Sequence, residues 1–134
     1  MKPLIALLLL SLSLFAVDGQ KVYENTCTAC HLGMVTKADF MAQIKTVKAP
    51  PMVEVINRLR STITVADDDD DVQRFLVTAF IKEYLQKPSW NYYLCDDSAI
   101  NRFEVMPAQT QLSEAERQAV AAYVYDEFED KEFK

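Results

Sequence analysis

Residues 27–31 read Cys27-Thr28-Ala29-Cys30-His31, and they decide how the rest of the chain is interpreted. This stretch contains two of the three cysteines and the only histidine among the 134 residues. An odd number of cysteines cannot be paired completely within one chain, so at least one thiol has a role outside an internal disulfide. Two thiols separated by two residues, with an imidazole directly after them, therefore indicate a binding motif.

The pattern Cys-x-x-Cys-His is the one through which haem is attached covalently to c-type proteins. The two thiols add across neighbouring vinyl groups of the porphyrin, and one helical turn places the sulfurs at the required separation. The histidine is then directed towards the iron. We predict one covalent haem c, with thioethers at Cys27 and Cys30 and with His31 as the proximal iron ligand.

Three other interpretations of the motif fit less well. A disulfide between Cys27 and Cys30 has poor geometry inside a helix and leaves His31 without a role. A thioredoxin-like redox motif belongs in a βαβ setting, which this sequence lacks. A zinc site needs a second pair of ligands, and Cys95 is the only cysteine or histidine that remains.

The second axial ligand is a separate question. A second histidine is excluded because His31 is the only one, which leaves methionine, lysine, an external ligand or an open site. Met34 is too near the motif to reach the other face, and Met41 and Met52 fall on apolar helix stripes. Met106 precedes Pro107, which stiffens the backbone of its loop. We predict Met106 as the distal ligand.

The organisation of the chain indicates an exported protein with a single domain. Lys2 and a short apolar run up to Val17 are typical of a signal peptide, and we expect cleavage after Ala16. The prediction is therefore a signal peptide at 1–16, a domain at 17–134 and a periplasmic location. If the segment is not cleaved, it anchors the protein to the membrane. The net charge of −6 argues against nucleic acid as a partner.

The fold class predicted from the sequence is all-α, because 2 glycines and 5 prolines supply few turns for a β fold. Helical spacing of apolar residues predicts five helices. The first two helices are expected at Gln20–Cys30 and at Lys37–Val47, the second with Thr36 as its cap. The third is expected to begin at Met52 and to continue past Leu59. The fourth should follow the acidic run Asp67–Asp71 and end before Pro88, and the last should extend from Ser113 to about Lys131. The expected buried residues of the fourth helix are Val72, Phe75, Leu76, Ala79, Phe80 and Leu85. Those of the last are Val120, Ala121, Val124, Tyr125 and Phe128.

Both ends of the domain resemble class I cytochromes c. Val22-Tyr23 followed by the Cys-x-x-Cys-His motif is similar to the N-terminal haem helix of that family. Met106-Pro107, followed by 112–116 and 119–124, is similar to its distal loop and C-terminal helix. The resemblance implies a helical fold around one haem, His31 and Met106 as axial ligands, and an N-terminal helix that crosses the C-terminal one near Tyr123.

The chain departs from the family pattern at several positions. Leu32 and then Gly33 follow the histidine, where the family usually has glycine first. A proline carbonyl commonly accepts a hydrogen bond from the proximal histidine, and both Pro50 and Pro51 are candidates. Cys95 is expected to be an unpaired, buried thiol beside Tyr92, Tyr93 and Leu94, with an intermolecular disulfide or a redox role as the alternative.

The function that follows is one-electron transfer between other redox proteins through transient contacts, without enzymatic activity. Ligation by histidine and methionine leaves no open position on the iron and raises the reduction potential. Two other functions stay open at this point. The chain fits a cytochrome subunit of a larger periplasmic oxidoreductase, or a haem sensor or enzyme with an open distal site.

Overall fold

A computed structural model describes residues 16–91, 94 and 96–134. These residues form six α-helices and one short 3-10 turn, Ala66–Asp68. The all-α prediction is confirmed. The helices are α1 Gly19–Thr26, α2 Lys37–Ala42, α3 Met52–Thr62, α4 Asp70–Gln86, α5 Asp97–Phe103 and α6 Glu114–Phe128.

Side-chain caps explain where most of the helices begin. The Thr36 hydroxyl accepts a hydrogen bond from the backbone N–H of Asp39, and the Asp69 carboxylate accepts one from Val72. Asp70 and Asp71 lie in the first turn of α4, where carboxylates are favoured by the helix dipole. Ser113 and Glu116 form the predicted capping box of α6. The capping role expected for the acidic run is confirmed.

Helices α1 and α6 cross at Gly19. A side chain at position 19 would lie 2.8 Å from the carbonyl carbon of Ala119 and 2.9 Å from Cβ of Tyr123, so only glycine fits between the helices. The ring of Tyr123 lies 5.5 Å from that of Tyr23 at the same crossing. The predicted crossing of the N- and C-terminal helices near Tyr123 is therefore confirmed.

Helix α6 forms the centre of the core. All five residues predicted for its buried stripe are 3% exposed or less. Its neighbours are α1, α3 and α4. Because α1, α3 and α4 all contact α6, α6 determines their positions around the Cys-x-x-Cys-His motif, which follows α1.

The buried face predicted for α4 is wrong in the first half of the helix, whereas Leu85 is buried as predicted and Phe80 packs against the core. Phe75 is 67% exposed, Val72 42% and Leu76 40%, whereas Val77 and Thr78 are buried. Apolar residues surround α4 on nearly every side, so their spacing does not select one face. The packing of α4 against α6 selects the face, and a bidentate ion pair between Arg74 and Asp126 joins the two helices at its exposed margin.

Several helix boundaries also differ from the prediction. Helix α1 ends at Thr26, before the motif, and α2 ends at Ala42, so it is shorter than expected. Met41, expected in the core, is 54% exposed. Helix α5 was not predicted. Beyond α6 the chain folds back, and the ring of Phe133 packs edge-on against that of Phe40 at 5.8 Å.

Two predictions fall outside the described residues. The signal peptide at 1–16 does so except for Ala16, and so do Cys95 and its expected neighbours Tyr92 and Tyr93. They stay predictions. None of the helices in the described ranges has the length and apolar character needed to cross a membrane.

Candidate haem site

The motif occupies a single turn directly after α1. The backbone N–H groups of Cys30 and His31 both donate to the carbonyl oxygen of Cys27, at 3.1 and 2.9 Å. This turn continues the right-handed winding of α1 and brings the two cysteines and the histidine together. The sequence-predicted spacing of the sulfurs is therefore produced by a turn after the helix rather than by the helix itself.

His31 is held by a hydrogen bond to the loop before α3. Its Nδ1 lies 2.7 Å from the carbonyl oxygen of Pro50. A carbonyl only accepts hydrogen bonds, so Nδ1 carries a proton, and in the neutral ring Nε2 then keeps its lone pair. Burial lowers the pKa of His31, and the bond to Pro50 opposes that change. The imidazole is therefore neutral with Nε2 available to a metal.

Backbone contacts fix this arrangement from both sides. The N–H of Met52 donates to the carbonyl oxygen of Leu32 at 2.6 Å, which joins the motif to the start of α3. Gly33 packs against the other side of α1, since a side chain there would lie 3.3 Å from the Tyr23 hydroxyl and 3.5 Å from the Phe128 ring. Gly33, the second residue after His31, thus allows the backbone at this position to approach Tyr23 and Phe128 closely.

A cavity of about 340 Å³ opens beside His31. Its walls are mostly apolar, as in other cofactor sites. The motif contributes Cys27, Cys30 and His31 to the cavity. The other walls include Met52, Val55 and Leu59 of α3, Phe80, Ile81, Tyr84 and Leu85 of α4, Ile100 and Phe103 of α5, Val120 and Val124 of α6, and 104–107.

Met106 lines the same cavity from a loop between α5 and α6. It is partly buried and packs against the core. The loop is tied to the end of α4 by the N–H of Gln109, which donates to the carbonyl oxygen of Leu85 at 2.7 Å. It begins at Glu104, whose φ of 61° is unusual for a residue with a side chain and turns the chain towards the cavity.

The other methionines in the described ranges are placed less suitably for the role of distal iron ligand. Met34 and Met41 are each 54% exposed and do not line the cavity. Met52 is buried and does line it, but its backbone is bonded to Leu32 directly after the motif. The structure thus brings all four predicted site residues, Cys27, Cys30, His31 and Met106, to one cavity.

The cysteines do not have the character of a catalytic or redox pair. Cys27 and Cys30 are both free thiols. Burial, and to a lesser extent the neighbouring Cys30, raises the pKa of Cys27 to about 11. Redox-active cysteines need a lowered pKa, so this environment is the opposite of what thiolate chemistry requires. Among the described residues, no three His, Cys, Asp or Glu side chains gather into a metal site.

The residues present fit haem c. Two free cysteines, a histidine whose Nδ1 is bonded to Pro50, and a methionine all line one largely apolar cavity. Sequence reasoning missed the contribution of α5, which supplies Ile100 and Phe103. The signal was present, because Asp96 begins a short run with apolar residues three positions apart.

The comparisons with known proteins agree with this geometry. Residues 16–124 match the model of the family described as cytochrome c oxidase, cbb3-type, subunit III. The chain belongs to this family of c-type cytochromes. A protein of Aquifex aeolicus (strain VF5), described as uncharacterized, is 31% identical over 145 residues, which cover 97% of this chain and 90% of that protein. No solved structure matches the chain.

Membership confirms the resemblance on which the sequence interpretation was built. A c-type cytochrome domain binds haem c and takes part in haem-based electron transfer. The matched region includes the Cys-x-x-Cys-His motif, the loop with Met106 and most of α6. It therefore spans every element that forms the cavity.

Proposed function

We propose that this cytochrome is a periplasmic one-electron carrier with a single haem, bound by thioethers at Cys27 and Cys30 and by His31 and Met106 on the iron. The observation that carries the proposal is the hydrogen bond from Nδ1 of His31 to Pro50. In the neutral imidazole this bond leaves Nε2 unprotonated, and His31 and Met106 both line one largely apolar cavity. A free thiol pair stands beside it.

The bound haem would supply a reversible one-electron iron couple. The residues of the chain prepare the site for it. The carbonyl oxygen of Pro50 fixes the orientation of His31 and raises the basicity of its Nε2. The thioether of Met106, held by the loop tied to Leu85, favours the reduced state and a raised potential. The apolar side chains of α3, α4 and α6 exclude water, which also favours the less charged state.

The proposed location is outside the cytoplasm. The apolar run after Lys2 is a candidate signal, and covalent haem attachment fits the periplasm. Partners would be redox proteins that bind weakly and briefly, because a carrier must dissociate to act again. Charge then steers the encounter more than it sets affinity.

The test of the haem assignment is expression in exported form together with the haem-attachment machinery. Haem that stays with the wild-type chain on a denaturing gel is covalently bound. We expect Cys27→Ser and Cys30→Ser each to weaken this retention, and the double variant to abolish it. Cys95→Ser is the matched control, because it removes the third thiol and should leave retention unchanged. Full retention in the double variant would contradict the proposal.

A second candidate function is that of a subunit in a larger oxidoreductase. The description of the matched family as an oxidase subunit favours it. The two functions differ in their native state. Size-exclusion chromatography of extracts under mild conditions should give a carrier of about the size of one chain, whereas a subunit would elute with a larger complex.

A further inference from the structure

Three apolar side chains on the first half of α4 are directed towards solvent. Phe75 is 67% exposed, Val72 42% and Leu76 40%. Single exposed apolar residues are common. Phe75 and Leu76 follow Val72 by three and four positions, so both adjoin Val72 on one side of the helix. A contiguous exposed group of this kind marks an interaction surface. We call Val72, Phe75 and Leu76 the α4 patch.

The surroundings of the α4 patch are acidic. Asp69, Asp70 and Asp71 precede it at the start of the helix, and the exposed Glu83 lies two turns beyond Leu76. The basic residues of α4 do not offset these charges on the outer face. Arg74 and Lys82 are instead paired with acids of α6.

Those two ion pairs are directed towards α6. Arg74 Nε lies 2.6 Å from Oδ1 of Asp126, and Lys82 Nζ lies 3.7 Å from Oε1 of Glu114. Both cations of α4 are thereby paired with acids on the side of α4 that faces α6. The outer surface is left with an apolar centre and carboxylates at both ends, which is complementary to an apolar patch surrounded by lysine or arginine.

The α4 patch is also connected to the haem cavity. Leu76, Phe80 and Tyr84 follow one another at intervals of four residues along the same helix. The rings of Phe80 and Tyr84 are stacked, with centroids 5.5 Å apart and planes at 16°. Both rings line the cavity. A partner bound at Leu76 is therefore separated from the cavity by this aromatic wall.

We propose that the α4 patch is the docking surface for a redox partner protein whose own contact surface is apolar and ringed by lysine or arginine. The proposal rests on the electron-carrier function above. With haem bound, the partner would lose one electron and the iron of this chain would gain it, and no proton or chemical group would be transferred. The partner protein contacts α4 rather than the haem edge beside Cys27 and Cys30.

A second copy of the chain suits the α4 patch less well. The patch has carboxylates at both ends, so two copies pairing through it would bring Asp70 and Asp71 of each against acids of the other. The chain also has a net charge of −6, which opposes self-association. With a basic partner, neither contact between carboxylates nor the negative net charge of the chain opposes binding.

The apolar part is tested with Phe75→Ser/Leu76→Ser. The control is Met34→Ser/Met41→Ser, because both methionines are 54% exposed and lie outside the patch. The probe is a purified basic class I cytochrome with a lysine-ringed haem edge. Calorimetric titration at low ionic strength gives Kd, and stopped-flow mixing gives the electron-transfer rate. We expect the patch variant to weaken Kd about tenfold, which is ~1.4 kcal/mol, and to slow the bimolecular rate similarly. The control should match the wild type.

The charged part is tested with Asp70→Asn/Asp71→Asn. The control is Asp130→Asn/Glu132→Gln, which changes the net charge equally on the C-terminal tail. The first variant should lower the association rate and flatten its dependence on salt, and the control should do neither. An equal effect of both variants would overturn the docking surface, since net charge alone would then explain the rates.

Three further results would overturn the proposal. One is an unchanged Kd in the patch variant, and another is an equal loss in the methionine control. The third is a wild-type dimer that Phe75→Ser/Leu76→Ser converts to a monomer, because the patch would then bind a second copy. Failure of the carrier function is recognised separately, by a wild-type protein that shows no haem spectrum.

Discussion

Nδ1 of His31 donates a hydrogen bond to the carbonyl oxygen of Pro50, across 2.7 Å. The two residues are joined by a loop that α2 interrupts, so the contact depends on the tertiary fold. It selects the tautomer of the imidazole and its orientation in one step. Outer partners of this kind increase the electron donation of a metal-binding histidine.

Weakening this bond should change the reduction potential. Pro50→Ala frees the φ angle that the ring of Pro50 fixes, so the carbonyl oxygen is held less firmly. His31 then donates less charge to the iron, and we expect the potential to rise. Pro88→Ala is the control, because Pro88 does not line the cavity. Potentiometric titration of both variants measures the effect, and a lower potential in Pro50→Ala would contradict this account of His31.

The helix crossing predicts a sharp difference between the two glycines of the chain. Gly19→Ala places a methyl group against the backbone of Ala119, which cannot move away without shifting α6. We expect a loss of about 1–3 kcal/mol in the free energy of unfolding. Gly33→Ala meets only side chains at 3.3 Å or more, so its loss should be clearly smaller. Urea unfolding compares them, and equal losses would refute the tight crossing.

The hydroxyl of Tyr23 is buried and has no hydrogen-bond partner among the described residues. Removing it in Tyr23→Phe should leave the free energy of unfolding unchanged or raise it by up to ~1 kcal/mol, because an unsatisfied polar group is lost. Tyr123→Phe, at the more exposed ring, is the control. A loss of more than ~1 kcal/mol in Tyr23→Phe would mean that the hydroxyl has a partner.

The same tyrosine should make stability sensitive to alkaline pH. Burial raises the pKa of Tyr23 to about 12, above its ordinary value of 10.0. The folded protein then keeps a proton that the unfolded chain loses, so the stabilisation is complete below pH 10.0 and declines as the pH approaches 12. Tyr23→Phe should remove this part of the decline. Unfolding curves of both proteins across that interval measure it, and parallel declines would contradict it.

The capping box makes an opposite, acid-sensitive contribution. Hydrogen bonds from the backbone and the hydroxyl of Ser113 lower the pKa of Glu116 below its ordinary value of 4.5. The stabilisation is present above pH 4.5 and is lost as the pH falls through the lowered value. Glu116→Gln should therefore be less stable than the wild type at pH 7, and the difference should shrink in acid. Glu114→Gln removes a carboxylate from the same first turn but keeps the box, so it is the matched control for the general effect of charge at this end of α6.

Local chemistry explains which parts of the structure were predictable from the sequence. The Cys-x-x-Cys-His turn and the capping box at Ser113 depend on residues within a few positions of each other. The buried stripe of α6 was found from the i, i+4 spacing of Val120, Val124 and Phe128, which is also local along the chain. The cavity residues Cys27, Cys30 and His31 were found for the same reason.

The rest depends on contacts between distant segments. Pattern alone could not choose a face for α4, because its apolar residues occupy several sides and the choice is made by α6. The sequence pattern also could not show whether Pro50 or Pro51 accepts the hydrogen bond from His31, because that depends on the path of the loop beside His31. Met41 fits an apolar stripe yet is exposed, because α2 ends at Ala42.

The oxidised absorption spectrum of Met106→Ala tests the central claim most directly. Ligation by methionine gives the oxidised cytochrome a weak band at long wavelength, from the sulfur-to-iron bond. We predict that the wild type and Met41→Ala have this band, and that Met106→Ala loses it and has a lower potential. The reduced variant, but not the reduced wild type, should bind carbon monoxide readily. A band that persists in Met106→Ala, or ready binding of carbon monoxide by the wild type, would contradict the His31/Met106 site.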